Sequence, residues 1–158
     1  MNTEKLKVFN LKLDSENLDR ACEILKSGGL VAMPTETVYG LAANAFDEEA
    51  VKNIFVAKGR PQDNPLIVHI SNIEMMNDLV SELPENAIEC AKRFWPGPFT
   101  MVLKRSEKIP ASVSAGDISG GTTDSTTIET TTTDVSDSLT IGISAGDGSD
   151  LASVLQIL

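Results

Sequence analysis

The sequence is poor in the residues that announce a disulfide scaffold, a metal centre or a broad basic surface. Among its 158 residues are two cysteines, Cys22 and Cys90, far apart and without Cys-x-x-Cys spacing. A disulfide framework and a zinc site are therefore not expected, and buried free thiols are the plain reading. No apolar run is long enough for a membrane span and no signal-peptide pattern occurs, so a soluble, cytoplasmic protein is expected. Phosphate loops, dinucleotide glycine fingerprints, nucleophile elbows and metal clusters are all missing. No lysine or arginine follows Lys108.

That last absence explains the charge. The chain carries 13 Lys and Arg against 23 Asp and Glu, a net charge of −10. Seven of the acids lie after residue 116, which leaves 16 acids and 13 bases, close to −3, in the body. The body is near neutral, and the tail makes the chain acidic. A total of −10 argues against phosphate-backbone contact unless the bases cluster.

What is present is a 41% hydrophobic chain of single-domain length, able to bury a core. Residues 7–13 alternate like a first strand. Ser15 is a candidate cap for a helix through about Lys26, with Leu18, Ala21, Cys22 and Leu25 at helical spacing and Gly28-Gly29 as its stop. Residues 30–33 read as a strand. Asp47 reads as the N-cap of a helix ending near Lys58-Gly59, with Val51, Ile54 and Phe55 on one face. Residues 66–70 read as a strand, Ser71-Asn72-Ile73-Glu74 as a capping box, and Pro84 as the start of a helix packed through Ile88, Ala91 and Phe94. Trp95-Pro96-Gly97-Pro98 stops that helix as a rigid turn with aromatic core anchors, and residues 99–103 form a strand. The alternation predicts a two-layer or three-layer α/β domain with a mixed sheet. From about Ser112 the composition turns to Thr, Ser, Gly and Asp; weak order is expected over residues 116–138, a strand over 139–143 and a short amphipathic helix over 150–158.

The chain is organised around Pro34-Thr35-Glu36-Thr37-Val38-Tyr39-Gly40-Leu41, which follows an apolar strand. A strand that ends in hydroxyls, a carboxylate and a phenol places polar groups where open α/β sheets hold ligands. In an extended loop Thr35, Thr37 and Tyr39 share a side and converge on one ligand; the plainer alternative is a polar turn whose threonines satisfy local backbone groups. Lys58-Gly59-Arg60-Pro61 adds two cations suited to a carboxylate or phosphate, although taken alone so short a motif is more often a solvated basic turn. Glu36 is suited to a ligand role or to holding either cation. His69, the only histidine, should share a strand face with Ile67, opposite Val68 and Ile70. A satisfied core histidine is as good a reading for it as an acid–base role.

These motifs, with Asn64-Pro65-Leu66-Ile67-Val68-His69 and Phe94-Trp95-Pro96-Gly97-Pro98-Phe99-Thr100 in the same order and spacing, resemble the YrdC-like threonylcarbamoyl-AMP synthases over residues 18–116. The resemblance implies a twisted open mixed sheet flanked by helices, with a concave, positively lined cavity. It implies formation of threonylcarbamoyl-AMP and pyrophosphate from L-threonine, bicarbonate and ATP with Mg2+, for tRNA threonylcarbamoyladenosine modification completed by a partner transferase. Thr35, Tyr39, Arg60 and His69 would hold threonine. Lys58 and Arg60 would serve catalysis beside the nucleotide phosphates, and Lys58, Asn64 and Leu66 would line the nucleotide. No metal ligand is expected from the chain.

Beyond Ser114-Ala115-Gly116 the family continues into an arginine-bearing strand and a Pro-Ser-Ala-Asn segment, whereas here Asp117-Ile118-Ser119-Gly120-Gly121 leads into a threonine tract. Residues 1–116 are thus expected to be the family-like part and 117–158 an atypical tail, with an impaired nucleotide site. The alternatives are a non-catalytic threonine-binding or RNA-binding module, the latter taking tRNA or double-stranded RNA on a surface built from Lys52, Lys58, Arg60, Lys92, Arg93, Lys104, Arg105 and Lys108, or a chain whose tail only closes exposed sheet edges.

Overall fold

Helix α1 (Ser15–Lys26) spans the expected residues, with Asp14 rather than Ser15 at the N-cap position. The computed structural model describes residues 3–8, 14–35, 38–61, 66–97, 99–114, 128–129, 138–142 and 155–157. Of the first strand expected over residues 7–13, residues 7 and 8 carry no regular structure and the rest lies outside the described residues.

After α1 the chain forms β1 (Val31–Pro34), β2 (Tyr39–Asn44), α2 (Glu48–Lys58), β3 (Ile67–His69), a 3-10 turn (Ile73–Met75), α3 (Met76–Leu79), α4 (Glu85–Phe94), β4 (Thr100–Lys104), α5 (Ala111–Ser114), β5 (Ile128–Glu129), β6 (Ser138–Gly142) and β7 (Leu155–Ile157). Side-chain caps set two of these starts. Asp47 accepts from the N–H groups of Glu49 and Ala50, as its position predicted. Asn72, not Ser71, accepts from Met75 N–H at 3.1 Å to open the 3-10 turn.

The strands form one mixed sheet in the order β1-β2-β7-β3-β6-β4-β5. Among the described residues β3–β6 and β4–β5 are the parallel pairs. Two sequence expectations fail here. Residues 39–44, of which 39–41 read as the end of a loop and 42–44 carry no assignment from sequence, are a strand hairpinned onto β1 with Pro34 opposite Tyr39; the small size of Gly40, Ala42 and Ala43 hid the pattern. Residues 155–157, placed in a short helix, are instead β7, antiparallel to both β2 and β3. Pairing with two neighbouring strands outweighs the weak amphipathic pattern of so short a segment. Most of the stretch expected to be weakly ordered lies outside the described residues, although β5 falls within it.

Ala43, Val68, Ile141 and Met101 stand in register across the sheet, all buried on one face. That face is closed by α2, α3, α4 and α5 through a cluster including Val51, Ile54, Phe55, Leu79, Ala91 and Val113. On the opposite face α1 covers the β1–β2 end, through Leu25 packed with Ala42, Val31 and Met33. Among the described residues the domain is three layers deep at that end. Each fully buried Leu, Ile, Val or Phe contributes about 1.5–3 kcal/mol. With four buried residues on α2 and two, Ala21 and Leu25, on α1, α1 is the more weakly held layer. No helix among the described residues is long and apolar enough to cross a membrane.

Candidate functional site

The β1–β2 turn is built by Thr35. Its N–H donates to the Val38 carbonyl at 3.2 Å, its hydroxyl donates to the same oxygen, and Val38 N–H donates to Thr35 Oγ1 at 3.2 Å. The polar-turn reading therefore holds at Thr35, and a ligand reaching this hydroxyl must share it with the backbone. Tyr39 is 73% exposed beside the turn. Glu36 and Thr37 lie outside the described residues, so the convergence expected of Thr35, Thr37 and Tyr39 is not described.

The C-terminus of α2 brings the two cations together. Gly59 adopts φ 62°, ψ 31°, its N–H bonds to Val56 O at 3.2 Å, and Arg60 N–H bonds to Phe55 O at 3.1 Å. This is a Schellman ending, and glycine is the residue that enters the left-handed region without strain. The turn fixes the backbone on both sides of Gly59, so Lys58 and Arg60 stand next to one another. Burial pushes the Lys58 ammonium pKa below the ordinary lysine range, and the Arg60 guanidinium pushes it further. Among the described residues no carboxylate pairs with either. Two adjacent cations that meet no carboxylate among the described residues form a local positive potential that attracts anions.

Leu66 is fully buried and its N–H donates to Val113 O at 3.0 Å. Its side chain belongs to the core, and it pins the loop before β3 onto α5. Asn64 lies outside the described residues. His69 follows the expected face: Val68 and Ile70 are buried, while His69 is half-buried and Ile67 is 37% exposed. Thr100 and Val102, half-buried, and Lys104, exposed, alternate along β4 away from buried Met101 and Leu103. His69 thus stands on the sheet face opposite the main core, half-buried and with its Nδ1 out of contact with solvent, so both readings of it remain.

Hairpin, α2 terminus and β3 belong to one scaffold. α2 packs on β2, and β2 and β3 both pair with β7. What the sequence missed is the Val113 carbonyl that anchors Leu66; Pro110 before α5 was the available signal. The aromatic motif also differs from expectation. Trp95 is a core residue, but Phe94 is 47% exposed, because α4 ends there and Trp95, four residues after buried Ala91, takes the inward position. Nor do the eight bases of the expected RNA surface stand equally free: Lys52 is paired with Glu48 and Glu49, Lys108 with Asp78, and Arg105 bonds the Ile109 carbonyl.

Comparison with known proteins agrees with this architecture. The Sua5/YciO/YrdC family, described as "Telomere recombination", matches residues 23–130. A threonylcarbamoyl-AMP synthase of Pyrococcus abyssi is 58% identical over 96 residues, 61% of this chain and 28% of the relative. One of Bacillus subtilis is 47% identical over 107 residues, 67% of this chain and 31% of the relative. The crystal structure of P. abyssi Sua5 complexed with L-threonine superposes with a TM-score of 0.72 at 40% identity, covering 90% of this chain and 37% of that one. The chain thus spans about a third of the length of these relatives. Four motifs in register, an open mixed sheet with helices massed on one face, and a family match over most of its length lead to one conclusion: the chain belongs to the Sua5/YciO/YrdC family.

Proposed function

We propose that the chain is a nucleotidyltransferase of the threonylcarbamoyl-AMP synthase type, working in the cytoplasm. L-threonine and bicarbonate condense with loss of water to a threonine carbamate, whose oxygen attacks the α-phosphorus of ATP, and pyrophosphate leaves. The product would feed tRNA threonylcarbamoyladenosine formation through a partner transferase. The observation that carries this reading is the adjacent Lys58–Arg60 pair at the end of α2, which meets no carboxylate among the described residues. Bringing a carbamate to a triphosphate crowds negative charge, so catalysis there consists mainly of positioning and neutralisation. Arg60 would hold the threonine carboxylate or a phosphate in a bidentate fork, and Lys58 would neutralise the phosphates. Thr35, Tyr39 and His69 would position threonine, and Asn64 would lie by the nucleotide, with Leu66 holding that loop to the core.

Among the described residues no group of three or more His, Cys, Asp or Glu is placed to hold a metal. Magnesium would travel on the phosphate oxygens of ATP, where it usually sits. Because no base follows Lys108, the nucleotide half of the site has fewer cations than the family pattern provides, and turnover should be low.

The test is mass-spectrometric detection of threonylcarbamoyl-AMP after incubation with ATP, magnesium, bicarbonate and threonine, with threonine omitted as control. Threonine-dependent product supports the reaction. Absence of product with retained threonine binding would instead support a threonine-binding module without chemistry.

A further inference from the structure

Two lysines on α2 are set up in opposite ways. Lys52 has a side chain 37% exposed, and its ammonium lies 3.0 Å from Glu48 and 3.3 Å from Glu49. Those carboxylates hold its pKa above the ordinary lysine range and keep the amine protonated. Lys58, six residues on, is half-buried, meets no carboxylate among the described residues and has a guanidinium as its charged neighbour. A helix C-terminus ordinarily favours a cation through its free carbonyls. Here the carbonyls of Phe55 and Val56 are already taken by the N–H groups of Arg60 and Gly59, at 3.1 and 3.2 Å. The turn that brings the two cations together thus also withdraws part of what would have stabilised the Lys58 charge.

We propose that Lys58 is a modification site that takes the acyl group of small acyl phosphates, with Arg60 holding the phosphate that leaves. A lysine that is desolvated and stands next to another cation is the arrangement that activates an amine as a nucleophile. Burial and the Arg60 guanidinium both push Lys58 in that direction. An acyl phosphate is an anion, so the pair attracts it, and the guanidinium fork matches two of its phosphate oxygens. The neutral Nζ attacks the acyl carbon and a nitrogen–carbon bond forms. The carbon–oxygen bond to phosphate breaks, phosphate leaves with that electron pair, and the proton lost from Nζ passes to water. The product is an uncharged amide. One of the two cations is then gone, so acylation weakens the anion site as a whole. The inference rests on the reading of this pair as a phosphate site, and it adds a covalent step that the proposed reaction does not contain.

The experiment is a time course of the full chain with acetyl phosphate at neutral pH, in which peptide mass mapping follows acetylation at Lys58, Lys52 and Lys104. Lys58 is expected to react about tenfold faster than the other two, the scale of one charge-assisted contact to the phosphate. Added pyrophosphate should slow Lys58 and leave the others unchanged. Arg60→Gln should remove most of the advantage with acetyl phosphate and much less of it with N-hydroxysuccinimidyl acetate, an acetyl donor without phosphate. Circular dichroism would verify that the variant folds. Equal rates at the three lysines, no protection by pyrophosphate, or an Arg60→Gln variant that acts alike on both reagents would each overturn the proposal. Labelling needs neither ATP nor threonine, which keeps the two readings apart. Threonylcarbamoyl-AMP formed by a chain whose Lys58 is not acetylated would overturn the modification alone, whereas selective acetylation of a chain that makes no adenylate supports the modification and counts against the reaction.

Discussion

Lys58 and Arg60 stand on either side of a left-handed glycine, and the guanidinium of the second adds to the burial that already disfavours the charge on the first. A bound anion would relieve that unfavourable arrangement.

The sign of that arrangement is testable. A lysine whose pKa is lowered in the folded state carries its charge at a cost at neutral pH. Between the folded and unfolded pKa values the unfolded chain binds more protons, so this group's contribution to stability rises with pH across that window and the penalty is full below it. Carbon-13 NMR of the Lys58 side chain should show titration below that of free lysine, shifting upward in Arg60→Gln and on addition of pyrophosphate. A titration unmoved by either change would contradict the anion-site reading.

Lys58→Ala and Arg60→Ala should each lower threonylcarbamoyl-AMP formation by about a hundredfold or more, the usual scale for removing one preorganised electrostatic contact. Arg60→Lys should fail to restore it, because an ammonium lacks the bidentate fork. Unchanged turnover in both alanine variants would sink the assignment.

Gly59→Ala isolates conformation from chemistry. A Cβ there would meet nothing within 4 Å, so only the left-handed backbone resists it. Urea denaturation should register a loss of about 1–2 kcal/mol, and anion affinity should fall as well, because the turn sets where Arg60 stands.

Thr35→Val and Thr35→Ser separate the two duties of that hydroxyl. Valine removes the bonds that close the hairpin turn, whereas serine keeps an oxygen at the same place. Calorimetric titration with threonine should show binding abolished in the valine variant and largely kept in the serine variant. Loss in the serine variant with binding kept in the valine variant would assign the contact to the methyl group.

Gln156→Pro tests whether the tail is part of the domain. Gln156 lies opposite Ala43 on one side and Val68 on the other, in the middle of the sheet. Proline there removes a ladder donor and should destabilise the domain by about 1–3 kcal/mol. Proteolysis of the variant should then reach β2 and β3; unchanged resistance would mark the tail as an appendage.

Periodicity and capping made much of this legible. The bounds of α1, the Asp47 cap, the Lys58-Gly59 ending and the face of His69 all follow from local rules that act within one turn or one strand. Long-range choices were less visible. Tyr39 to Asn44 hides its strand behind a glycine and two alanines, whose small side chains carry little pattern. Leu155–Ile157 is a strand only because two edges are available to it, and no local signal encodes a partner more than a hundred residues away. Phe94 kept its helical spacing but lost its burial to Trp95, a competition settled by where the helix stops. Of the site, the cation pair could be read from residue type and Gly59, while the use of the Thr35 hydroxyl in its own turn could not be chosen over the ligand role.

The place of β7 bears on the order in which the molecule can assemble. β2 and β3 meet their shared neighbour only when residues 155–157 arrive, more than a hundred positions after Asn44. Closing so long a loop costs chain entropy before any ladder bond offsets it, which makes this a slow, late step. A chain still being synthesised would hold α1, the β1–β2 hairpin and α2 early, yet keep two bare strand edges facing each other across a gap. Until that gap fills, those edges are open to any extended peptide nearby, so the nascent protein should depend on chaperones more than its size suggests.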